Sequence, residues 1–535
     1  MMKIFKINRQ INQSATITTI VFIFALFLVA VLGELLFIRN FAYFRDYSIT
    51  FEGAYRLSLG QIPFKDFGSP VGPIAFIIPA VFFKLFGANL LEFQLAQLFT
   101  NCLMLILLIL IFRRLCLPFK LQFISLSFFT FTYLIFLTHP WYNSTAFLTL
   151  ELVILFSLYV NKYLAFLTGF FCGITLLTKQ DFGAISFFNA LVIYLFTYSN
   201  NASLHLKNKI SDFLILKYFH EFLTKSIFLI FGLVTCLYLF ILSTDSYEFL
   251  YWFNYGQNPH HPRSIHLRSL TQNSYGMINL IAIILCFKYK RFNLLIAALI
   301  IFNASLTRQT SGLGFTHYYF VLALPIIIYE IYSCKFRFKL LLLSLTLILS
   351  LQLMKKPLRD LYYVIESIAL HQPEHFFFDY REISQPLVQF PANLVAFNKE
   401  SVPIDTLQGI LKIKSFASKL TYTPRVLNLS ELTPIYAELD IHPPKQQPLW
   451  YHTNISFFLQ EINLLNHSFK NQDYDLILLQ GAHEGLSPTY QKFYDTLSQN
   501  QHYKLLVNIY YSPGVGTGPC KEKCDGNIFV FFLEK

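Results

Sequence analysis

The chain has 535 residues, of which 55% are hydrophobic and only 13% charged, with 60 Phe and 32 Tyr. A soluble globular protein of this size carries roughly 25% charged residues, so composition excludes an ordinary soluble enzyme. The net charge of +12 lies mainly in short basic clusters between apolar runs, a placement that fits membrane orientation rather than a nucleic-acid footprint.

In chain order, apolar runs predict membrane spans near 16–38, 89–112, 121–139, 142–160, 163–178, 182–198, 226–243, 275–288, 292–305, 317–333 and 339–354. The expectation is an α-helical multispanning membrane protein of about eleven transmembrane helices, within a range of about ten to thirteen. The first run is too long for a signal-peptide core and has no small-residue cleavage site, so it reads as a retained anchor. Pro73–Gly87 carries Lys84 and Pro79 and reads as a helix lying at the membrane interface or packed against the bundle, not as a span. Lys3, Lys6 and Arg9 precede the first span, and each even-numbered span ends in a basic cluster, such as Arg113–Arg114–Lys120 or Lys335–Arg337–Lys339. The positive-inside rule then keeps the N-terminus cytoplasmic. It places the 39–88 loop, the Thr178–Asp181 turn, the 244–274 loop, the 306–316 loop and everything after about 355 on the opposite face.

Residues 355–535 differ in character. Turn formers such as His442-Pro443-Pro444 appear, Tyr474–Leu479 and Asn527–Phe532 read as buried strands, and Pro488–Ser498 reads as a helix. The expected organisation is a transmembrane domain over 1–354 and a small extracytoplasmic α/β domain over 355–535. Cys520 and Cys524 are the two cysteines of this region, and a local disulfide is the favoured reading, since a metal site would need two further ligands.

Charge concentrates in the first outside loop: Arg45-Asp46, Glu52, Arg56, Lys65-Asp66, then Gly72-Pro73. A charge near a bilayer is costly and usually serves chemistry or anchoring. Asp46, Gly60, Pro63-Phe64-Lys65-Asp66-Phe67, Gly72-Pro73 and Leu85-Phe86-Gly87 together resemble the GT-C class of glycosyltransferases, which includes protein O-mannosyltransferases, lipid A aminoarabinose transferases and their bacterial relatives. Leu176-Leu177-Thr178-Lys179 is similar to the class's threonine-lysine turn, and His317-Tyr318-Tyr319 followed by Pro325 extends the resemblance. It covers roughly residues 15–335.

The resemblance implies an inner-membrane enzyme that moves a sugar from a polyprenyl-phosphate donor to an envelope acceptor (lipopolysaccharide, another glycan or a protein) with inversion. Such transfer needs a base near the acceptor hydroxyl and cations near the leaving phosphate. Asp46 is the candidate base, against the alternative that it pairs with Arg45 or Arg56 as an anchor. Asp66 either helps bind the acceptor or a metal ion, or caps the Pro73 helix region, and Glu52 reads as structural. Lys179 is the candidate phosphate ligand, against simple snorkelling of a helix-end lysine. In the 244–274 loop, Arg263 or Arg268 would serve the same phosphate. His260, His261 and His266 leave a divalent metal open without diagnostic spacing, and no other cofactor is expected. Arg308 and His317 are further candidates for the pocket. One departure stands out: the aminoarabinose transferases have a lysine directly before the loop-helix proline, where this chain has Gly72. That puts their particular substrate in doubt, and the Gly60-x-x-Pro63-Phe64-x-Asp66-Phe67 stretch is closer to bacterial branches that glycosylate lipopolysaccharide cores or other envelope glycans. The rival readings are an O-antigen ligase or polymerase, a transporter, which the nearly charge-free spans oppose, and a non-enzymatic envelope assembly protein.

Overall fold

A computed structural model describes residues 45–132, 139–159, 161–207, 212–252, 281–286, 291–311, 316–333, 387–397, 401–449, 457–480, 488–511 and 526–534, with scattered positions elsewhere. The helices of the first two-thirds are α1 (Arg45–Ser58), α2 (Ile77–Phe86), α3 (Leu90–Arg114), α4 (Phe119–Thr132), α5 (Tyr142–Ser157), α6 (Lys162–Thr178), α7 (Gln180–Lys207), α8 (Asp212–Ser243), α9 (Ser246–Trp252), α10 (Phe292–Ser311) and α11 (Thr316–Ser333). Among the described residues three helices are long and apolar enough to cross a membrane: Leu90–Arg114, Gln180–Ser199 and Leu216–Ser243. Shorter apolar helices at Tyr142–Ser157, Lys162–Thr178, Phe292–Asn303 and Leu322–Ser333 accompany them. The expected spans at 275–288 and 339–354 lie largely outside the described residues and that at 16–38 about half outside them, while Cys520 and Cys524 lie wholly outside.

Local chemistry sets the helix ends. Asn89 Oδ1 accepts from Glu92 N at 3.0 Å to start α3, and Arg113 and Arg114 in its last turn complement the helix dipole. The span expected to reach 139 stops as a helix at Thr132. Beyond it, Asn101 Nδ2 of α3 donates to Leu134 O (3.2 Å) and Leu137 O (3.0 Å), giving those carbonyls a partner outside a helix. Helix α8 begins near 212 rather than at the expected 226, because His220, Glu221 and Lys225 hide its first half from a hydropathy reading.

Helices α6 and α8 meet through small residues. A Cβ on Gly169 would stand 1.8 Å from Leu229 O, and one on Gly232 would stand 2.0 Å from Phe166 O. Gly169 and Gly173 therefore form a small-x-x-x-small face that lets the two backbones touch, as packing within a bilayer favours.

The last third contains β2 (Leu387–Gln389), β3 (Ser401–Pro403), α12 (Ile404–Ala417), β4 (Val426–Leu429), α13 (Pro434–Glu438), β5 (Gln447–Pro448), α14 (Leu459–Lys470), β6 (Leu476–Gln480), α15 (Pro488–Gln499), β7 (Tyr503–Tyr511) and β8 (Gly526–Leu533). Four strands form a sheet in the order β4-β6-β8-β7, parallel between β4 and β6 and antiparallel elsewhere. Alternate residues of β6 enter different cores. Leu476 and Leu478 join Ile410, Ile435 and Val530, while Ile477 and Leu479 join Leu465, Phe469 and Phe493. Burial on both faces explains the uninterrupted apolar run of this strand.

The first loop belongs to the same core as this sheet. Ile49, Phe51, Phe67, Phe76 and Phe83 cluster with Ile435, Tyr436, Val426 and Ile528. The short strand β1 (Phe67–Gly68) pairs in parallel with β5, Phe67 opposite Gln447 and Gly68 opposite Pro448. The boundary expected near 354 falls among residues outside the described set.

Candidate active site

The site starts at a single residue between two helices. Lys179 is extended (φ −158°, ψ 125°), so α6 ends at Thr178 and α7 begins at Gln180. Its amide donates to Thr175 O at 2.8 Å, and its carbonyl accepts from Gly183 N at 3.0 Å, so both helix ends are satisfied across the break. The Lys179 side chain is only 7% exposed. Its ammonium donates to Asn143 Oδ1 at 2.6 Å, stands 3.9 Å from Asp181 Oδ2, and lies over the rings of Tyr142 (5.5 Å) and Phe182 (5.2 Å). An exposed, snorkelling lysine would have none of this enclosure. Asn143 Nδ2, buried beside it, has no hydrogen-bond partner among the described residues.

The first loop seats directly on this turn. Gly72 N donates to Thr178 O at 3.2 Å, and a Cβ at Gly72 would stand 1.7 Å from Leu177 O. No side chain fits there, so the glycine at this position has a steric reason. The Gly72-Pro73 pair then starts a single 3₁₀ turn, Pro73–Phe76, which runs into α2. The apolar face of α2 at Ile77, Val81 and Leu85 is exposed, while Pro79, Ala80 and Phe83 are buried, the pattern expected of a helix lying at an interface.

Asp46 is the second residue of α1, and its side chain lies outside the described ones. The neighbouring Tyr47 is described. Its ring stacks on His139 (5.1 Å) and meets Trp141 edge-on (6.0 Å), and Trp141 meets Tyr142 at 5.7 Å. A continuous row of rings therefore joins the first turn of α1 to the ring under the Lys179 ammonium. Polar contacts hold this row in place. Gln94 Nε2 and His139 Nε2 are 3.1 Å apart, the Ser144 hydroxyl lies 3.1 Å from Gln97 Oε1, and Gln97 Nε2 donates to Asn101 Oδ1 at 2.7 Å.

Glu52 and Asp66 face elsewhere. Arg56, 1% exposed, donates to Glu52 Oε1 (2.7 and 2.9 Å), Gln61 Oε1 (3.1 Å) and Pro444 O (2.7 Å). Gln61 Nε2 in turn donates to Pro443 O at 2.9 Å. Burial pushes the Glu52 carboxyl above its usual range, and the Arg56 charge and hydrogen bonds pull it part of the way back. This group fastens the first loop to the 433–449 segment, in keeping with the structural reading of Glu52. The Asp66 carboxylate accepts from Ile62 N at 2.8 Å and pairs with Lys445 at 3.0 Å. Burial raises its pKa, but the Ile62 hydrogen bond and the Lys445 and Lys65 charges outweigh that and lower it overall. Asp66 thus caps its own turn and meets the C-terminal segment, with no described contact to Lys179.

Arg263, Arg268, His260, His261 and His266 lie outside the described residues; His317 and Arg308 lie in α11 and α10, with side chains outside the described ones. Among the described residues no group of three or more His, Cys, Asp or Glu could hold a metal ion. Sequence reasoning missed Tyr47, His139, Trp141, Tyr142 and Asn143. Their signal was present as aromatic and polar residues gathered where a span begins, but nothing in the order of residues tied them to Lys179.

No family model matches the chain, and no curated protein matches it. Solved structures do. The structure of ArnT from Cupriavidus metallidurans bound to undecaprenyl phosphate aligns over 96% of this chain and 98% of that one, at 12% identity and a TM-score of 0.51. The same protein in the apo state aligns over 97% and 98%, at 12% identity and a TM-score of 0.49. The fold is therefore similar to that of the undecaprenyl-phosphate-bound ArnT structure.

Proposed function

We propose that this chain is an integral-membrane glycosyltransferase that moves a sugar from a polyprenyl-phosphate donor to an envelope acceptor, with inversion at the anomeric carbon. The observation that carries the proposal is the Lys179 turn. A cation is buried against a neutral amide and two aromatic faces, reached by the first loop at Gly72 and by the rings that lead from α1. The fold agrees with it, since the ArnT structure of like fold was solved with undecaprenyl phosphate bound.

In this reaction Asp46 takes the proton of the acceptor hydroxyl as its oxygen attacks the anomeric carbon. The bond from that carbon to the phosphate oxygen breaks, and the polyprenyl phosphate leaves with its electron pair. Lys179, with Arg263 or Arg268, holds the phosphate as its charge develops. His317 is a further candidate for the phosphate pocket, and the C-terminal region covers the site or recruits the acceptor. The enzyme resides in the inner membrane, with the site on the face opposite the cytoplasm. The test is transfer from a polyprenyl-phosphate sugar by purified Asp46→Asn. A general base is worth about 10²–10⁴-fold, so turnover should fall by at least about a hundredfold with the donor still bound. Undiminished turnover in a folded variant removes Asp46 from the mechanism.

A further inference from the structure

Beyond the transferase reading, and independent of it, the junction of α8, α9 and α14 carries an unexplained apolar surface. Helix α8 is long and apolar enough to span a membrane and is mostly unburied. In its last turns Tyr238, Leu239 and Leu242 are exposed. Phe240 in that stretch meets Phe249 of α9 at 5.4 Å and Phe64 of the first loop at 6.1 Å, so α9 lies at the depth where α8 ends. Helix α9 in turn holds α14. Tyr251 Oη donates to Glu461 Oε1 at 3.1 Å, and the ring of Phe458 meets Tyr251 at 5.6 Å and Trp252 at 6.2 Å.

Around this junction Leu250 and Leu459 are each 72% exposed and Leu464 is 57% exposed. Leu459 and Leu464 lie on one side of α14, where they line an open groove with Gln460, Asn463 and His467. Single exposed leucines are ordinary. A patch linked through α9 to the end of an exposed, apolar helix of spanning length has a specific occupant, the bilayer.

We propose that α9 and the outer side of α14 rest in the membrane interface, with Leu250, Leu459 and Leu464 among the lipid chains, so that the C-terminal region is anchored on the bilayer as well as on the first loop. The experiment uses the full chain in phosphatidylcholine nanodiscs made with or without acyl-chain bromination. The emission added by Leu459→Trp, and separately by Leu250→Trp, is read after subtracting the unsubstituted protein. Brominated lipid should quench each added signal by about twofold or more and leave Leu505→Trp, on strand β7, unquenched. Equal quenching at 459 and 505 overturns the proposal. So does an unquenched Leu459→Trp whose emission changes with protein concentration, since a second copy would then cover the patch.

Discussion

Two buried cations in this fold are held in different ways. Arg56 is met by the Glu52 carboxylate at 2.7 Å and by two further oxygens, so its charge is cancelled where it stands. Lys179 is met at 2.6 Å by an amide oxygen, with Asp181 at 3.9 Å and two aromatic faces around it. A buried ion pair with all its partners is scaffolding. Lys179 is instead enclosed by an amide oxygen, a more distant carboxylate and two rings, and ionisable groups enclosed within membrane proteins are functional-site candidates. The contrast separates the ion pair that fastens the first loop from the enclosed cation of the Lys179 turn.

The largest effect that would break this contrast is at Arg56. Arg56→Met leaves Glu52 buried and unpaired and should cost about 3–5 kcal/mol of stability, read as a fall in the thermal unfolding midpoint. Adding Glu52→Leu should restore much of it; no recovery would mean that the pair does more than hold the loop. Lys179→Met should behave differently. Loss of a charge-assisted contact of about 1.5–3 kcal/mol should weaken donor use by roughly 10–100-fold, while thermal stability falls by no more than the orphaned Asn143 amide costs. Donor titrations alongside unfolding curves decide between the two behaviours. Gly72→Ala drives a methyl group into Leu177 O and should destabilise by about 1–3 kcal/mol, together with a loss of transfer, because the loop lifts off the Lys179 turn. A normally active, fully stable alanine variant would contradict that contact.

The smallest effect is at Asp66. Its pKa is lowered in the folded state, so its contribution is present above the unfolded value near about 3.9 and is lost as pH falls through the folded value. Lys445 is largely exposed, which limits the contribution to roughly 1 kcal/mol or less. Asp66→Asn should therefore flatten the acid limb of the stability curve below about pH 4 and change little at neutral pH.

Much of the helical part was legible because apolar content and length carry the signal. Leu90–Arg114, Lys162–Thr178 and Thr316–Ser333 fall close to the stretches marked by hydropathy. The strands at Leu476–Gln480 and Gly526–Leu533 and the helix at Pro488–Gln499 also lie where local composition put them. Two boundaries were missed for physical reasons: Asn101 captures carbonyls that a longer helix would have used, and the polar first half of α8 carries no continuous apolar run. In the site, Lys179 was visible from the threonine-lysine turn. Asn143, Tyr142 and the ring row to Tyr47 were not, because their roles depend on which helix ends meet.

By itself, the sequence determined that the chain is built for a membrane and where charge gathers, because burial in lipid constrains composition and spacing residue by residue. Its resemblance to the GT-C class also singled out Asp46 and Lys179 as candidates. Only the tertiary structure decided that Gly72 is demanded by a carbonyl of α6, that Glu52 and Asp66 fasten the first loop to the last third of the chain, and that Lys179 is held by Asn143. Those are contacts between segments as much as about 390 residues apart, and no local pattern records which distant group will fill the space beside a side chain.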